Sequence, residues 1–246
     1  MRKIYFCHGM PGSAADADLL ARANPGVETV ALDLLHYPPE LAHQALADAL
    51  AAEGADTDPV HLVGFSIGAM AAIMIAASRP DRVAQLTLIS PATPLQSGDF
   101  LPHMAGQPVF ELAAKNPKLL RLLTVFQGIV SRLSPGLILN MLFAKCGPME
   151  SDLLQDPDFM QVMGTALRES FINRRETYLS YVQAYVQDWR DELPKVQCPV
   201  DLWHGSKDSW SPPQMSVALR ECFGKSCTLH EVEDREHYST LAHVKL

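Results

Sequence analysis

A chain of 246 residues, 48% hydrophobic and 20% charged, has the make-up of one large globular domain with room for an inserted lid, which excludes the disordered and fibrous classes. Its formal net charge of −8, with no clustered Lys and Arg, argues against nucleic acid as a partner. Five scattered cysteines (Cys7, Cys146, Cys198, Cys222 and Cys227) form neither a disulfide framework nor a zinc knuckle, so a reducing cytoplasm is the expected location. In chain order, the basic Met1-Arg2-Lys3 precedes an apolar run, Ile4 to Cys7, that is far too short for a signal peptide and reads as a first strand. Further strands are expected at Val27–Leu32, Pro59–Val63, Gln85–Ser90, Val200–His204 and Thr228–Val232. Helical patterns at Ala14–Ala23, Pro39–Glu53, Ile67–Ser78 and Pro212–Phe223 alternate with them, some opened by Ser13, Pro38-Pro39 or Ser211-Pro212. Because hydrophobicity in the strands is continuous rather than alternating, the expected class is α/β: a mostly parallel sheet of about six strands with helices on both faces.

The alternation breaks once. Residues 92–191 show helical periodicity and no convincing strand, which reads as a helical cap inserted into a core made of residues 1–91 and 192–246. Within it, Leu119 to Phe143 is markedly apolar, but Arg121, Arg132 and Ser134-Pro135-Gly136 interrupt it, so no transmembrane helix is expected.

The chemistry centres on Gly64-Phe65-Ser66-Ile67-Gly68, which follows an apolar strand and opens an Ala- and Ile-rich helix. A sharp strand-to-helix turn lifts a serine hydroxyl clear of the sheet, and glycines are needed on both sides because a Cβ there would strike the neighbouring elements. A serine needs an imidazole to take its proton, and the imidazole needs a carboxylate to fix its tautomer. In a parallel sheet these partners belong on loops after later strands, in the order Ser, acid, His. Asp208, in the turn after Leu202-Trp203-His204, is the candidate acid, and His237, after the turn Glu233-Asp234-Arg235-Glu236, is the candidate base. His230, within a strand, and His243, near the chain end, are the competing imidazoles, and capping of the helix near Pro212 is the competing role for Asp208. The Ile67 N–H and, from the glycine-rich bend His8-Gly9-Met10-Pro11-Gly12-Ser13, the Met10 N–H are the candidate oxyanion donors. Asp33 and His8 read as residues that order their own loops, and Cys7 as packed in a strand.

Taken together, His8-Gly9-Met10, Gly64-x-Ser66-x-Gly68, His204-Gly205-x-x-Asp208 and His237 resemble the α/β-hydrolase superfamily over nearly the whole chain outside the insertion. The resemblance implies Ser66, Asp208 and His237 as nucleophile, acid and base, with Met10 and Ile67 lining the oxyanion hole, and a helical cap where residues 92–191 fall. Two features depart from the family: the chain opens on what resembles its third strand, and Phe65 and Ile67 replace the His and Met common in the elbow of many relatives.

The expected activity is hydrolysis of a carboxylic ester or thioester of a small apolar acyl substrate through an acyl-enzyme. Carbon–carbon bond hydrolysis, a cofactor-free perhydrolase reaction, and a non-catalytic ligand-binding member of the fold are the alternatives. A simpler reading of Ser66 is a small residue at a tight junction, binding phosphate at a helix N-terminus. Epoxide hydrolases and haloalkane dehalogenases need a carboxylate nucleophile, against which Ser66 counts. No cofactor or metal is expected: neither Gly-x-Gly-x-x-Gly nor His-Glu-x-x-His occurs, and Gly224-Lys225-Ser226 lacks the upstream glycine of a phosphate loop, since Leu219 stands there.

Overall fold

The computed structural model describes residues 2–54 and 58–246, so Met1 of the basic N-terminal triplet lies outside the described residues. Six strands, β1 (Arg2–Cys7), β2 (Val27–Leu32), β3 (Val60–Phe65), β4 (Val83–Ile89), β5 (Val200–Gly205) and β6 (Cys227–Val232), form one sheet in the order β2-β1-β3-β4-β5-β6. Every pairing is parallel. Consecutive residues of a strand face opposite sides of the sheet, and in β1, β3 and β4 the last four are all buried. Both faces are therefore covered, which is why these strands read as unbroken apolar runs.

The helices of the sheet layer are α1 (Ala17–Ala23), α2 (Ala42–Ala52) and α3 (Gly68–Ser78). Between β4 and β5 come α4 (Gln107–Lys115), α5 (Pro117–Leu133), α6 (Pro135–Leu142), α7 (Pro148–Leu153), α8 (Pro157–Arg168) and α9 (Arg175–Val186), and no strand among the described residues. The chain closes with α10 (Gln214–Phe223) and α11 (His237–Leu241). Four helices between β4 and β5 start on proline, whose fixed φ suits a first turn and whose missing N–H is not needed there. Asn116 and Asp156 add side-chain caps to α5 and α8. Among the described residues no helix is long and apolar enough to cross a membrane.

The strand and helix expectations hold in position and differ at their ends. The helix expected from Pro212 starts at Gln214, with Pro213 as its cap, because the Pro212-Pro213 pair carries the chain round the turn before it. The expected Pro39–Glu53 helix opens with a tight turn at Pro39–Leu41 before α2, and the Ala14–Ala23 helix with one at Ala14–Asp16 before α1.

Register decides where function can sit. Cys7 pairs with Gly64, Phe65 with Ile89, Ile89 with Trp203 and Gly205 with Val232, so the carboxyl ends of β1, β3, β4, β5 and β6 finish along one edge of the sheet. Chain winding reverses between β1 and β3, the point at which a crevice opens outside an α/β sheet. The loops after those two strands consequently touch: a Cβ on Gly9 would stand 3.2 Å from the Cβ of Ser66.

Candidate active site

Ser66 has φ of 55°, in the left-handed region, where a side chain costs about 1–3 kcal/mol. Bonds on both sides hold it there: its N–H donates to the Ile89 carbonyl at 3.1 Å, and its carbonyl accepts from the N–H groups of Ala69 and Ala92, each at 3.0 Å. The flanking glycines are sterically required. A Cβ on Gly64 would lie 2.7 Å from the Ala69 Cα, and one on Gly68 would lie 2.2 Å from the His8 carbonyl oxygen. The Ala-rich helix α3 is buried nearly all round, and small side chains let it approach β3 so closely.

Asp208 follows β5 and is buried. Its Oδ1 accepts the N–H groups of Trp210 and Ser211, both at 2.9 Å, while Oδ2 lies 2.8 Å from the His237 Nδ1. A carboxylate can only accept, so His237 donates from Nδ1. Burial pushes the Asp208 carboxyl up, but attraction to His237 and the hydrogen bond from it, with smaller help from the Ser211 N–H, outweigh it and hold the net shift downward. The acid is thus ionised at neutral pH. It does not cap α10, which begins at Gln214. The competing imidazoles lie elsewhere: His230 pairs with Asp201 at 3.3 Å and stacks on Trp203, and His243 follows α11.

The His237 ring is held on two sides, with the Phe65 ring centroid 4.7 Å away and the Trp210 indole stacked at 5.8 Å and 17°. Phe65 precedes Ser66 in the chain, so this packing sets the imidazole beside the elbow. Ser66, Ile67, Met10, Trp210 and Ser211 line one cavity, whose remaining wall is largely apolar and includes Met104, Phe110, Met141, Phe171 and Tyr178. Among the described residues, neither the Met10 N–H nor the Ile67 N–H is bonded to another loop's carbonyl or to a side chain.

Several supporting groups have roles that the sequence does not show. His204 is buried, with Nε2 2.7 Å from the Ser211 carbonyl and Nδ1 2.6 Å from the Ser216 hydroxyl. The carbonyl accepts only, so Nε2 carries the proton, and burial holds the ring's pKa low and the ring neutral. Ser170, in the π-helical turn Glu169–Asn173, accepts the Gly12 N–H and donates to the Gly12 carbonyl, each at 3.0 Å, and so pins the loop carrying Met10. The Trp210 indole N–H points at the Cys146 sulfur at 2.9 Å. Burial pushes that thiol up to about 12, so it stays protonated at neutral pH.

A pair of acids ties α7 to α11. The Glu236 carboxylate accepts the Gly147 N–H at 2.6 Å and the Glu150 N–H at 3.4 Å, and the Glu150 Oε1 accepts the Ser239 N–H at 2.7 Å. Each helix start is thus capped by an acid from the other. The only sequence signal was Glu236-x-x-Ser239, a capping pattern that closes on itself through the Glu236 N–H and the Ser239 hydroxyl at 2.8 Å. Asp33 orders its own loop by accepting the Leu35 N–H, while the His8 ring lies against its own loop at the Gly9 carbonyl, 2.9 Å from Nδ1, and also accepts the Leu34 N–H of the loop after β2 on Nε2 at 3.2 Å. Cys7 is fully buried in β1. Among the described residues no cluster of His, Cys, Asp and Glu could hold a metal ion.

Comparison with known proteins agrees with this fold. The family model described as the alpha/beta hydrolase family matches residues 4–245. Among curated proteins, the chain is similar to pimeloyl-[acyl-carrier protein] methyl ester esterase of Neisseria meningitidis serogroup C, 26% identical over 264 residues that cover 100% of this chain and 90% of that protein. Among solved structures, it resembles a thermophilic esterase from Thermogutta terrifontis (TM-score 0.66, 18% identity, covering 98% of this chain and 85% of that one). It also resembles a bacterial membrane phospholipase A (TM-score 0.68, 20% identity, covering 98% of this chain and 74% of that one).

Proposed function

This chain belongs to the alpha/beta hydrolase family, and from that premise we propose that it is a serine hydrolase that cleaves carboxylic esters or thioesters with apolar acyl groups through an acyl-enzyme. Ser66 is the nucleophile, Asp208 the acid, His237 the base, and the N–H groups of Met10 and Ile67 are the oxyanion donors. The observation that carries the reading is the buried 2.8 Å contact between the His237 Nδ1 and the Asp208 Oδ2, with the imidazole packed on the residue next to Ser66.

In this mechanism the His237 Nε2 removes the Ser66 proton as the hydroxyl oxygen attacks the acyl carbon, and negative charge gathers on the former carbonyl oxygen between the two N–H groups. The imidazolium, stabilised by ionised Asp208, then protonates the leaving alcohol or thiol. Water enters, His237 takes its proton, the acyl bond to Ser66 breaks and the carboxylic acid departs. Phe110, Met104, Phe171 and Tyr178 would face the acyl chain, and their apolar character favours such a chain over a sugar or phosphate. Residues 92–191 form the helical cap on this reading, since Met104, Phe110, Met141 and Phe171 reach the cavity from that stretch. The curated relatives' name supplies a substrate type to try first, the methyl ester of an acyl chain borne on a carrier protein. The five free cysteines suit a reducing compartment such as the cytoplasm.

Replacing Ser66→Ala tests the assignment. Turnover of short-chain p-nitrophenyl esters by the variant is expected to fall to the rate without enzyme, and undiminished turnover would overturn it.

A further inference from the structure

The helix α5 is built inside out. Its buried residues are Leu120, Thr124, Gly128 and Ser131, three of them small and polar or side-chain-free, while Leu119, Leu122, Phe126, Ile129 and Leu133 face solvent. Leu133 is 81% exposed and Leu122 64%. At 3.6 residues per turn these five fall within an arc of about 80°, a continuous apolar row along the helix. The row continues onto α6 through exposed Leu137 and Met141. An amphipathic helix ordinarily turns such a face to the core, and a patch of this kind on a soluble chain marks a surface with a partner.

Charge identifies the partner. Lys118, Arg121 and Arg132 lie on the adjoining arc of the same helix, about 20–80° beyond one edge of the row. From Gln107 to Lys145 the sequence holds five basic residues (Lys115, Lys118, Arg121, Arg132 and Lys145) and one acid, Glu111, in a chain whose formal net charge is −8. Lys115 pairs with Glu111 and Arg121 with Glu176 of α9, so the charge of the edge rests chiefly on Lys118 and Arg132. Two copies meeting symmetrically through this face would bring cation against cation. An apolar row bordered by cations instead matches a surface with an acyl interior and anionic headgroups, and a fluid bilayer takes such a row without needing a complementary groove. The face also adjoins the site: Met141 belongs to the exposed row and lines the Ser66 cavity, which Gln127 of α5 lines as well.

We propose that the outward face of α5 and α6 docks on an anionic phospholipid surface, with the mouth of the Ser66 cavity beside the contact. Docking would present the cavity to acyl esters dissolved in or resting on that surface. The inference does not depend on Ser66 being the nucleophile, so its failure is separable from failure of the hydrolase reading.

Co-sedimentation with vesicles tests it, comparing pure phosphatidylcholine with an equal mixture of phosphatidylcholine and phosphatidylglycerol. Wild type and Ser66→Ala should bind the mixed vesicles equally, at least tenfold better than the neutral ones, and less well at high salt. The double variant Phe126→Asp/Leu133→Asp and the charge reversal Lys118→Glu/Arg132→Glu should each lose tenfold or more in vesicle binding. Turnover of a soluble p-nitrophenyl ester and the melting midpoint should stay at wild-type values for both. Absence of wild-type binding to the mixed vesicles, or equal binding by the variants, would overturn the proposal. So would self-association by ultracentrifugation, or binding to an acidic acyl-carrier protein, that is lost in Phe126→Asp/Leu133→Asp while vesicles are not bound.

Discussion

The two oxygens of Asp208 have separate partners, so one buried carboxylate can order its loop and also serve the proposed chemistry. Oδ1 is occupied by two backbone N–H groups, which fix the carboxylate plane, and Oδ2 is thereby aimed at the His237 Nδ1. Asp208→Asn should therefore preserve the fold and damage turnover. Its amide nitrogen, set against Nδ1, would favour the wrong imidazole tautomer and leave no negative charge for the imidazolium. We expect kcat on p-nitrophenyl esters to fall by roughly 10³- to 10⁴-fold with little change in KM; a loss under tenfold would remove Asp208 from the proposed role. Residue types announced this part of the site in the sequence, because a serine between glycines at a strand end and a single acid and imidazole after later strands leave few arrangements. Trp210 and Glu150 were not legible, and His204 was read only as part of a motif, with no role attached. Each matters through contacts such as Trp210 with Cys146, 64 positions away, or Glu150 with Ser239, 89 away, and no local pattern encodes those.

Elements assemble around the elbow with almost no tolerance. Gly68 is the clearest case, because an added Cβ would meet the backbone oxygens of His8 at 2.2 Å and Cys7 at 2.4 Å, neither of which is the free end of a side chain. Gly68→Ala should cost about 3 kcal/mol or more, lowering the thermal midpoint by several degrees, whereas alanine at Gly164, which has open space around its Cβ position, should not. Equal midpoints would contradict the packing described. The crossed caps between α7 and α11 make a second element-level prediction. Glu236→Ala strips the acceptor from the Gly147 and Glu150 N–H groups and loosens the helix whose first residue is His237. A loss of about 1–3 kcal/mol is expected, together with a kcat reduction that Glu236→Gln, which retains an acceptor, partly restores. Strand positions and the helical stretch between β4 and β5 were readable from hydrophobic periodicity, but helix starts were displaced at Pro212-Pro213 and Pro38-Pro39. A proline suits either the first turn of a helix or the turn just before it, and only packing decides which.

For the molecule as a whole, buried acids set the response to pH. Burial, partly offset by backbone bonds, pushes the Asp16 carboxyl up to about 8 and the Glu150 carboxyl up to about 7. Both are raised above their unfolded values of 3.8 and 4.5. The folded chain therefore keeps protons that the unfolded chain releases, so this stabilisation is complete below about pH 4 and is lost as pH rises through 7 and 8. Asp208 runs the other way: its lowered pKa stabilises the fold above the ordinary carboxylate range, and that contribution disappears as pH falls. The thermal midpoint should accordingly drop from pH 6 to pH 9, and the double variant Asp16→Asn/Glu150→Gln should flatten the decline. A wild-type midpoint that rises over this interval would refute the burial argument. Mass spectrometry of the folded protein after exposure to a fluorophosphonate reads out whether Ser66 is the nucleophile. One covalent adduct is expected on the peptide carrying Ser66, absent from His237→Ala; no adduct, or an adduct on another residue with Ser66 unmodified, would remove Ser66 from the proposed role.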